Sequence, residues 1–299
     1  MRKQRILLRN VNSLYSKFVV VNNMIKVSIV IPCYNQGQYV DEAVDSMLNQ
    51  TFQDIEIVVV NDGSTDTLTI KKLQHYDKPK TTVLHTNNQG LPHARNNGIK
   101  ESIGEYILPL DADDYFAPTF LEKAVDVLNA HPEVGIVTCG MQCFGISQKR
   151  HLPKGGDVTN FLGQNNACVA SMFRRVCWEQ AGGYNETPKG YEDWNLWLGM
   201  TKRGWLAHVI PEYLFYYRRR PDSMIRESDA IKPELIKQLV NNHRELFEQY
   251  VDEVVSQKEQ KIFALKQVKQ MVLESNSYRL GQLLSAPFRM IARWRKGDR

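Results

Sequence analysis

Val27-Ser28-Ile29-Val30-Ile31-Pro32, then Val40-Asp41-Glu42-Ala43-Val44-Asp45-Ser46-Met47-Leu48, then Ile55-Glu56-Ile57-Val58-Val59-Val60 is the stretch on which the fold turns. Its first and third segments are short apolar runs rich in β-branched residues, which read as buried strands. Between them Val40, Ala43, Val44, Met47 and Leu48 recur at helical spacing, and Asp41 and Glu42 occupy the first turn, where the helix dipole favours acids. Strand, helix, strand is the βαβ unit of a parallel sheet.

Outward from this unit the pattern continues. Val83-Leu84 reads as a weak strand, Pro92 to Ser102 as a helix, Tyr106 to Leu110 as a strand, Thr119 to Ala130 as a helix after Pro118, and Val134 to Thr138 as a strand. The first half is therefore an open α/β sheet, with ligand loops expected at the carboxyl ends of its strands. Polar clusters fall there: Cys33-Tyr34-Asn35, Asn61-Asp62-Gly63-Ser64 and Asp111-Ala112-Asp113-Asp114 should converge on one sheet edge. Past residue 150 the reading is helices near Arg174 to Ala181 and Trp194 to Arg203, then two strands, Ala207 to Ile210 and Leu214 to Tyr217. From Ile231 two or three long charged helices lead to a basic tail.

Composition narrows the class. A 299-residue chain that is 42% hydrophobic can bury a substantial core. The net charge of +5 is spread along the chain and crowds only at its ends, so nucleic acid is not an expected partner. Five cysteines without CxxC spacing read as small buried hydrophobes in a reducing, cytoplasmic setting, and no apolar run reaches the ~18 residues that span a bilayer. Residues 1–24, where Arg2, Lys3 and Arg5 precede only broken apolar runs, read as an N-terminal extension and a poor signal peptide.

Asp111 and Asp113 lie two apart at a strand end and can face one side, with Ala112 leaving room for a ligand. Hard cations such as Mn2+ or Mg2+ take carboxylates together with substrate phosphates, and they stabilise a departing diphosphate. Acid pairs are also common in solvated turns. A phosphatase using Asp-x-Asp would need a nucleophilic Asp after the first strand, where this chain has Cys33-Tyr34-Asn35.

Taken in order, Val27–Asn35, Ser46–Phe52, Asn61–Asp66, Asn88-Gln89-Gly90 with Ala94–Gly98, and Gly104-Glu105-Tyr106 leading to Asp111–Asp114 resemble the inverting family 2 glycosyltransferases. Phe173-Arg174-Arg175, Gly182–Glu186, Glu192-Asp193-Trp194 and Tyr217-Arg218 resemble the family's acceptor-side motifs. The resemblance implies a GT-A nucleotide-diphospho-sugar transferase fold: a Rossmann-like open mixed sheet flanked by helices, here with a C-terminal helical extension. It implies a transferase domain over residues 25–225, divided into a nucleotide-sugar half, 25–140, and an acceptor half, 141–225. A C-terminal helical region follows over 226–299.

Position by position, the resemblance assigns Asp62 to the nucleobase, with Tyr34 and Pro32 packing beside it and uridine the commonest base; the lesser reading of Asp62 is a turn former before Gly63. Asn61 departs from the Asp usual there, removing a charge while keeping a hydrogen-bonding group. Arg95 resembles an arginine that approaches the nucleotide, Asp113 the main ligand of a divalent metal (Mn2+ or Mg2+), and Asp111 its supporting acid on the sugar or ribose. Asp114 reads as structural. Asp193 is the expected general base, with Glu192 orienting it or contacting acceptor; both could also cap the following helix. Of Arg218, Arg219 and Arg220, which resemble a diphosphate clamp, strand alternation lets at most two face the site, and Arg218 and Arg220 share a parity.

The expected partners are a nucleotide-diphospho-sugar donor, with UDP as its nucleotide, and a glycan or lipid-linked acceptor in cell-surface polysaccharide or glycolipid synthesis. Leu280, Leu283, Leu284, Phe288, Met290, Ile291 and Trp294 interleaved with Arg279, Arg289, Arg293, Arg295 and Lys296 have the composition of a helix lying on an anionic membrane face, or of one docked on protein. Two other classes stay open: a catalytically silent nucleotide-sugar-binding scaffold, against which Asp113 and Asp193 argue, and a sugar nucleotidyltransferase, whose Gly-rich basic first loop is missing.

Overall fold

The structure is a computed structural model that describes residues 26–187, 190–221 and 231–278, with Leu280 and Ser285. The N-terminal extension and nearly all of the basic tail lie outside the described residues.

The opening βαβ unit forms as its periodicity dictates. β1 (Val27–Cys33) is buried at every position, α1 (Val40–Leu48) buries Val40, Ala43, Val44 and Met47, and β2 (Ile55–Asp62) pairs in parallel with β1, Ile29 opposite Ile57. β3 (Thr81–Thr86) extends the sheet beyond β2, and β4 (Tyr106–Pro109) lies on the other side of β1, both parallel. The carboxyl ends of β1, β2 and β4 thus share one edge. α2 (Thr67–Gln74) has no counterpart in the sequence reading. Its signal was Asp66, whose carboxylate accepts from the Thr69 amide at 2.8 Å as an N-cap.

α3 (Leu91–Glu101) lies unusually close to the sheet. A Cβ on Gly98 would stand 2.4 Å from Val30 Cγ1 and 2.8 Å from Val60 Cγ2, so only glycine permits this approach. The consequence is that Arg95 and Asn96, one turn earlier, are carried into the interior.

After β4 the sheet changes direction. β5 (Tyr115–Phe116) and α4 (Phe120–Ala130) are followed by β6 (Val134–Gly145), which runs well past the expected Thr138. β7 (Arg150–His151), α5 (Val158–Leu162), β8 (Met172–Arg174), α6 (Arg175–Ala181), α7 (Glu192–Thr201) and β9 (Leu206–Arg219) complete this half. The strand order is β3-β2-β1-β4-β8-β6-β9-β5, with β7 on β6 and β8 antiparallel to β4. Asp111–Asp114 therefore leave the sheet where its direction reverses.

The two expected strands at 207–210 and 214–217 are one. β9 crosses Pro211-Glu212 through a bulge, the β6 register jumping from Cys139 opposite Ile210 to Gly140 opposite Tyr213. Pro211 mimics a strand end in sequence, but a bulge needs no ladder amide there. Gly140 accommodates it, since a Cβ would meet the Glu212 carbonyl at 2.9 Å.

All five cysteines are free and buried. The chain divides into a unit ending at His243 and a second from Arg244. α8 (Lys232–Asn242) belongs to the first and buries Leu235 and Leu239, while Asn242 Nδ2 donates to Asn195 Oδ1 at 3.0 Å. The second contains α9 (Arg244–Gln249) and α10 (Val251–Glu274), the latter with no buried residue. Among the described residues no helix is long and apolar enough to cross a membrane.

Candidate active site

A cleft of about 410 Å3 opens at the carboxyl ends of β1, β2 and β4. Pro32, Tyr34, Asp62, Asp111, Asp113, Arg218 and Arg220 line it; Arg95 and Ala112 do not, and neither do Glu192 and Asp193.

The cleft's near wall is built by side chains that bond backbone. Asn35, at φ 54°, accepts from the amides of Thr65 and Asp66 at 2.7 and 3.1 Å, tying the loop after β1 to the loop after β2. Asp62, 4% exposed, accepts from the Gln89 amide at 3.1 Å and the Gly90 amide at 2.9 Å. Its carboxylate thereby holds the turn that starts α3 while still facing the cleft. Asn61 Nδ2 lies 3.1 Å from His85 Nδ1 and donates to it in the tautomer that leaves that nitrogen unprotonated, and its Oδ1 accepts from the Ser64 amide. Tyr34 is 45% exposed, a ring face open to stacking.

The Asp111–Asp114 turn sits opposite. Asp111 Oδ1 accepts from Arg95 Nη2 at 2.7 Å. Ala112 is fully buried in the hydrophobic core, so its small size serves packing beneath the turn rather than space in the cleft. Asp113 lies 3.1 Å from Arg220 Nε, and its carboxyl is pushed up to about 6, first by burial and then by the charge of Asp111. Asp114 is buried and accepts from the Arg218 amide at 2.7 Å; burial and the charges of Asp113 and Asp111 raise its pKa far above the ordinary range. Its other oxygen has no hydrogen-bond partner among the described residues.

The basic wall follows strand parity. Arg218 and Arg220 face the cleft, while Arg219 instead approaches the Tyr217 ring, at 6.0 Å. Arg218 is wedged over Tyr39 and Phe144, at 4.8 and 4.3 Å from their centroids, and is ion-paired with Glu42. Neither Tyr39 nor Glu42 stood out in the sequence; Glu42 read there as an ordinary first-turn acid.

Glu192 and Asp193 begin α7, after Tyr191 at φ 58°. Asn165 Nδ2 donates to Asp193 Oδ2 at 2.8 Å. Burial and then the adjacent Glu192 push Asp193 up to about 6, while the Trp194 amide and Arg95 pull the other way. Asn165 was missed as well, though its run Gln164-Asn165-Asn166 is a cluster of amides beside an apolar stretch.

Arg95 is fully buried, behind the cleft wall. Its Nη1 donates to Glu192 Oε1 and its Nη2 to Asp111 Oδ1, both at 2.7 Å, and its guanidinium lies 5.4 Å from the Tyr184 ring centroid. Burial opposes its charge, but Asp111, Tyr184 and Glu192 outweigh burial and hold its pKa above the ordinary value. Asn96, next along α3, locks the neighbouring segment by donating to the Tyr184 carbonyl and accepting from its amide, each at 2.9 Å. A larger cavity of about 590 Å3 opens along the Asn195, Leu196, Gly199 and Lys202 side of α7, away from these acids.

Among the described residues no group of three or more His, Cys, Asp or Glu side chains could hold a metal by itself. Asp111 and Asp113 nevertheless offer hard oxygens within one cleft, and one or two carboxylates completed by substrate phosphates suit Mg2+ or Mn2+. The residues fit such an ion.

Comparison with known proteins points the same way as the geometry. The model of the Glycosyl transferase family 2 matches residues 28–182. An uncharacterized glycosyltransferase of Haemophilus influenzae is 32% identical over 213 residues, covering 64% of this chain and 65% of that protein. A hyaluronan synthase of Pasteurella multocida is 29% identical over 63% of this chain, though over only 20% of its own length. Among solved structures, TarS of S. aureus in complex with UDP-GlcNAc superposes with a TM-score of 0.58 at 21% identity, over 67% of this chain and 60% of that one.

Proposed function

The chain belongs to Glycosyl transferase family 2 and has the GT-A fold, and from that premise we propose that it is an inverting transferase carrying a sugar from a UDP-type donor to a glycan hydroxyl. The observation that carries this reading is Arg95, which binds Asp111 of the donor cleft and Glu192, the neighbour of Asp193, so that one buried cation joins two sets of acids.

The donor's base enters between Tyr34 and the Asp62 loop, and its diphosphate faces Arg218 and Arg220, whose forked donors suit phosphate oxygens. A divalent cation at Asp113, supported by Asp111, would supply positive charge to the departing diphosphate. The uridine choice is supported by the UDP-GlcNAc complex of TarS, and a polysaccharide acceptor by the likeness to a hyaluronan synthase.

Asp193 takes the acceptor's proton. The hydroxyl oxygen forms a bond to the anomeric carbon from the face opposite the diphosphate, the carbon–oxygen bond to the diphosphate breaks, and its electron pair leaves with UDP. Inversion follows from the single displacement. A carboxylate pushed up to about 6 is a better base than an exposed one and is still largely ionised at pH 7. Asn165 holds one of its oxygens in place.

The test is donor hydrolysis by purified protein with Mn2+, comparing Asp113→Ala and Asp193→Asn. We expect each to lose turnover by about 100-fold or more, as removal of a general base or a metal ligand does, with Asp193→Asn still binding UDP. Unchanged turnover in both variants would sink the assignment. Product anomeric configuration, read by NMR, checks inversion independently.

A further inference from the structure

Arg95 shares one charge between two carboxylates from distant parts of the chain. Its side chain is 1% exposed, against 24% for Asp111 and 10% for Glu192, so water can screen Asp111 in part but cannot replace the guanidinium. The third nitrogen, Nε, is buried without a hydrogen-bond partner among the described residues. The fork is therefore placed by Asp111, Glu192 and the Tyr184 ring alone, and Tyr184 is itself pinned by Asn96 through both backbone groups. The Tyr184 hydroxyl is also buried and makes no hydrogen bond among the described residues, so it takes none from the guanidinium. A cation held this way must redistribute when either carboxylate is engaged by something else.

We propose that Arg95 is a positioning residue that couples donor occupancy at Asp111 to the readiness of Asp193 as base, acting through Glu192. The proposal rests on the reading of Asp111 as a donor-side group and Asp193 as the base. A donor that hydrogen-bonds to Asp111 satisfies part of its charge, and Arg95 then neutralises Glu192 more fully. Glu192 is the nearest like charge to Asp193, so its neutralisation favours the ionised base. The other groups bearing on Asp193 are fixed: Asn165 donates to it, the Trp194 amide faces it, and Cys168 and Tyr184 are buried groups beside it. Of these only Tyr184 also feels the charge of Asp111, and burial keeps it neutral, which leaves Arg95 as the charged link. In the absence of donor the base is held partly protonated, and donor binding completes its ionisation. Coupling of this kind is reciprocal: ionising Asp193 tightens donor binding by the same factor that donor binding favours ionisation.

The experiment is calorimetric titration with UDP-GlcNAc and Mg2+ at pH 6, in buffers of different ionisation enthalpy, which counts protons released on binding. This probe is esterified at both ends of its diphosphate and brings no proton titrating near pH 6. Asp113 exchanges protons in the same cleft, so the quantity read is the part of the release that Asp193→Asn removes. At pH 6 that part is at most about half a proton, the share bound by a group titrating there. We expect it in the wild type and expect it lost in Arg95→Lys, which keeps the charge but cannot fork to both acids. Glu192→Gln, at a side chain that does not line the donor cleft, should also lose it. Unchanged release in both variants overturns the coupling and leaves the transferase reading standing. No binding of UDP-GlcNAc or UDP to the wild type removes the donor reading and the coupling with it.

Discussion

Asp193 has its proton affinity set by where it sits. Its carboxyl titrates at about 6 in the folded chain, against an ordinary 3.8. If it is the base, kcat/KM for the donor is level above about pH 7 and falls roughly tenfold per pH unit below 6, a profile readable from initial rates with Mn2+ saturating and donor well below its KM. The stability linkage has the opposite sense. The folded pKa lies above the unfolded one, so the group is a liability above pH 6 that is relieved as pH falls from 6 toward 4. Urea midpoints of wild type and Asp193→Asn should therefore converge across that window, while activity is being lost. Asp113 and Asp193 could be picked out as candidates because they stand at set places in an ordered series of motifs; the structure puts Asp113 in the cleft lining and Asp193 outside it. Arg95 was visible as a residue and invisible as a role. The string Ala94-Arg95-Asn96 does not say which face of α3 turns inward, and long charged side chains usually end in water. Ala112 was misplaced for the converse reason: a small residue between acids suggests room for a ligand, and only the packing beneath the turn shows it filling the core.

Between residues and fold, α3 decides most. Its approach to β1 and β2 is permitted by Gly98 alone, and the helix delivers Arg95 to Asp111 on one side and Glu192 on the other. Gly98→Ala must push α3 outward or strain Val30 and Val60. We expect a loss of about 1–3 kcal/mol in urea unfolding, as overpacking gives, and a larger fractional loss of turnover than of stability because the shift moves Arg95. A variant of normal stability and rate would show that the contact relaxes without consequence. The opening elements were legible because β1, α1 and β2 each bury a face that repeats at its own period. β9 was not, because Pro211 carries the same signal at a bulge as at a strand end, and nothing local distinguishes the two.

At the scale of the molecule, every residue lining the cleft at the ends of β1, β2 and β4, and every acid tied to Arg95, lies in the unit ending at His243. A chain of residues 1–243 should therefore melt cooperatively and be stabilised by UDP to within about 1 kcal/mol of the effect on the full chain at equal ligand excess. Loss of a cooperative melt, or of the UDP effect, would mean that the second unit helps to build the first. The family model matches residues 28–182, within that unit, and this chain spans 65% of the Haemophilus relative and 20% of the hyaluronan synthase. The composition of the basic tail was read for a membrane or a docked helix, and that segment lies outside the described residues apart from Leu280 and Ser285.

The burial of all five thiols has a practical side. Cys33, at the rim of the cleft, is fully covered, and burial pushes it up to about 11, so at neutral pH it offers almost no thiolate to an electrophile. The folded chain is thus a dark background for maleimide chemistry. A single cysteine substituted for Gln36, in the cleft lining and partly exposed, would be the one fast-reacting handle, and a fluorophore there would report donor entry and product exit in real time.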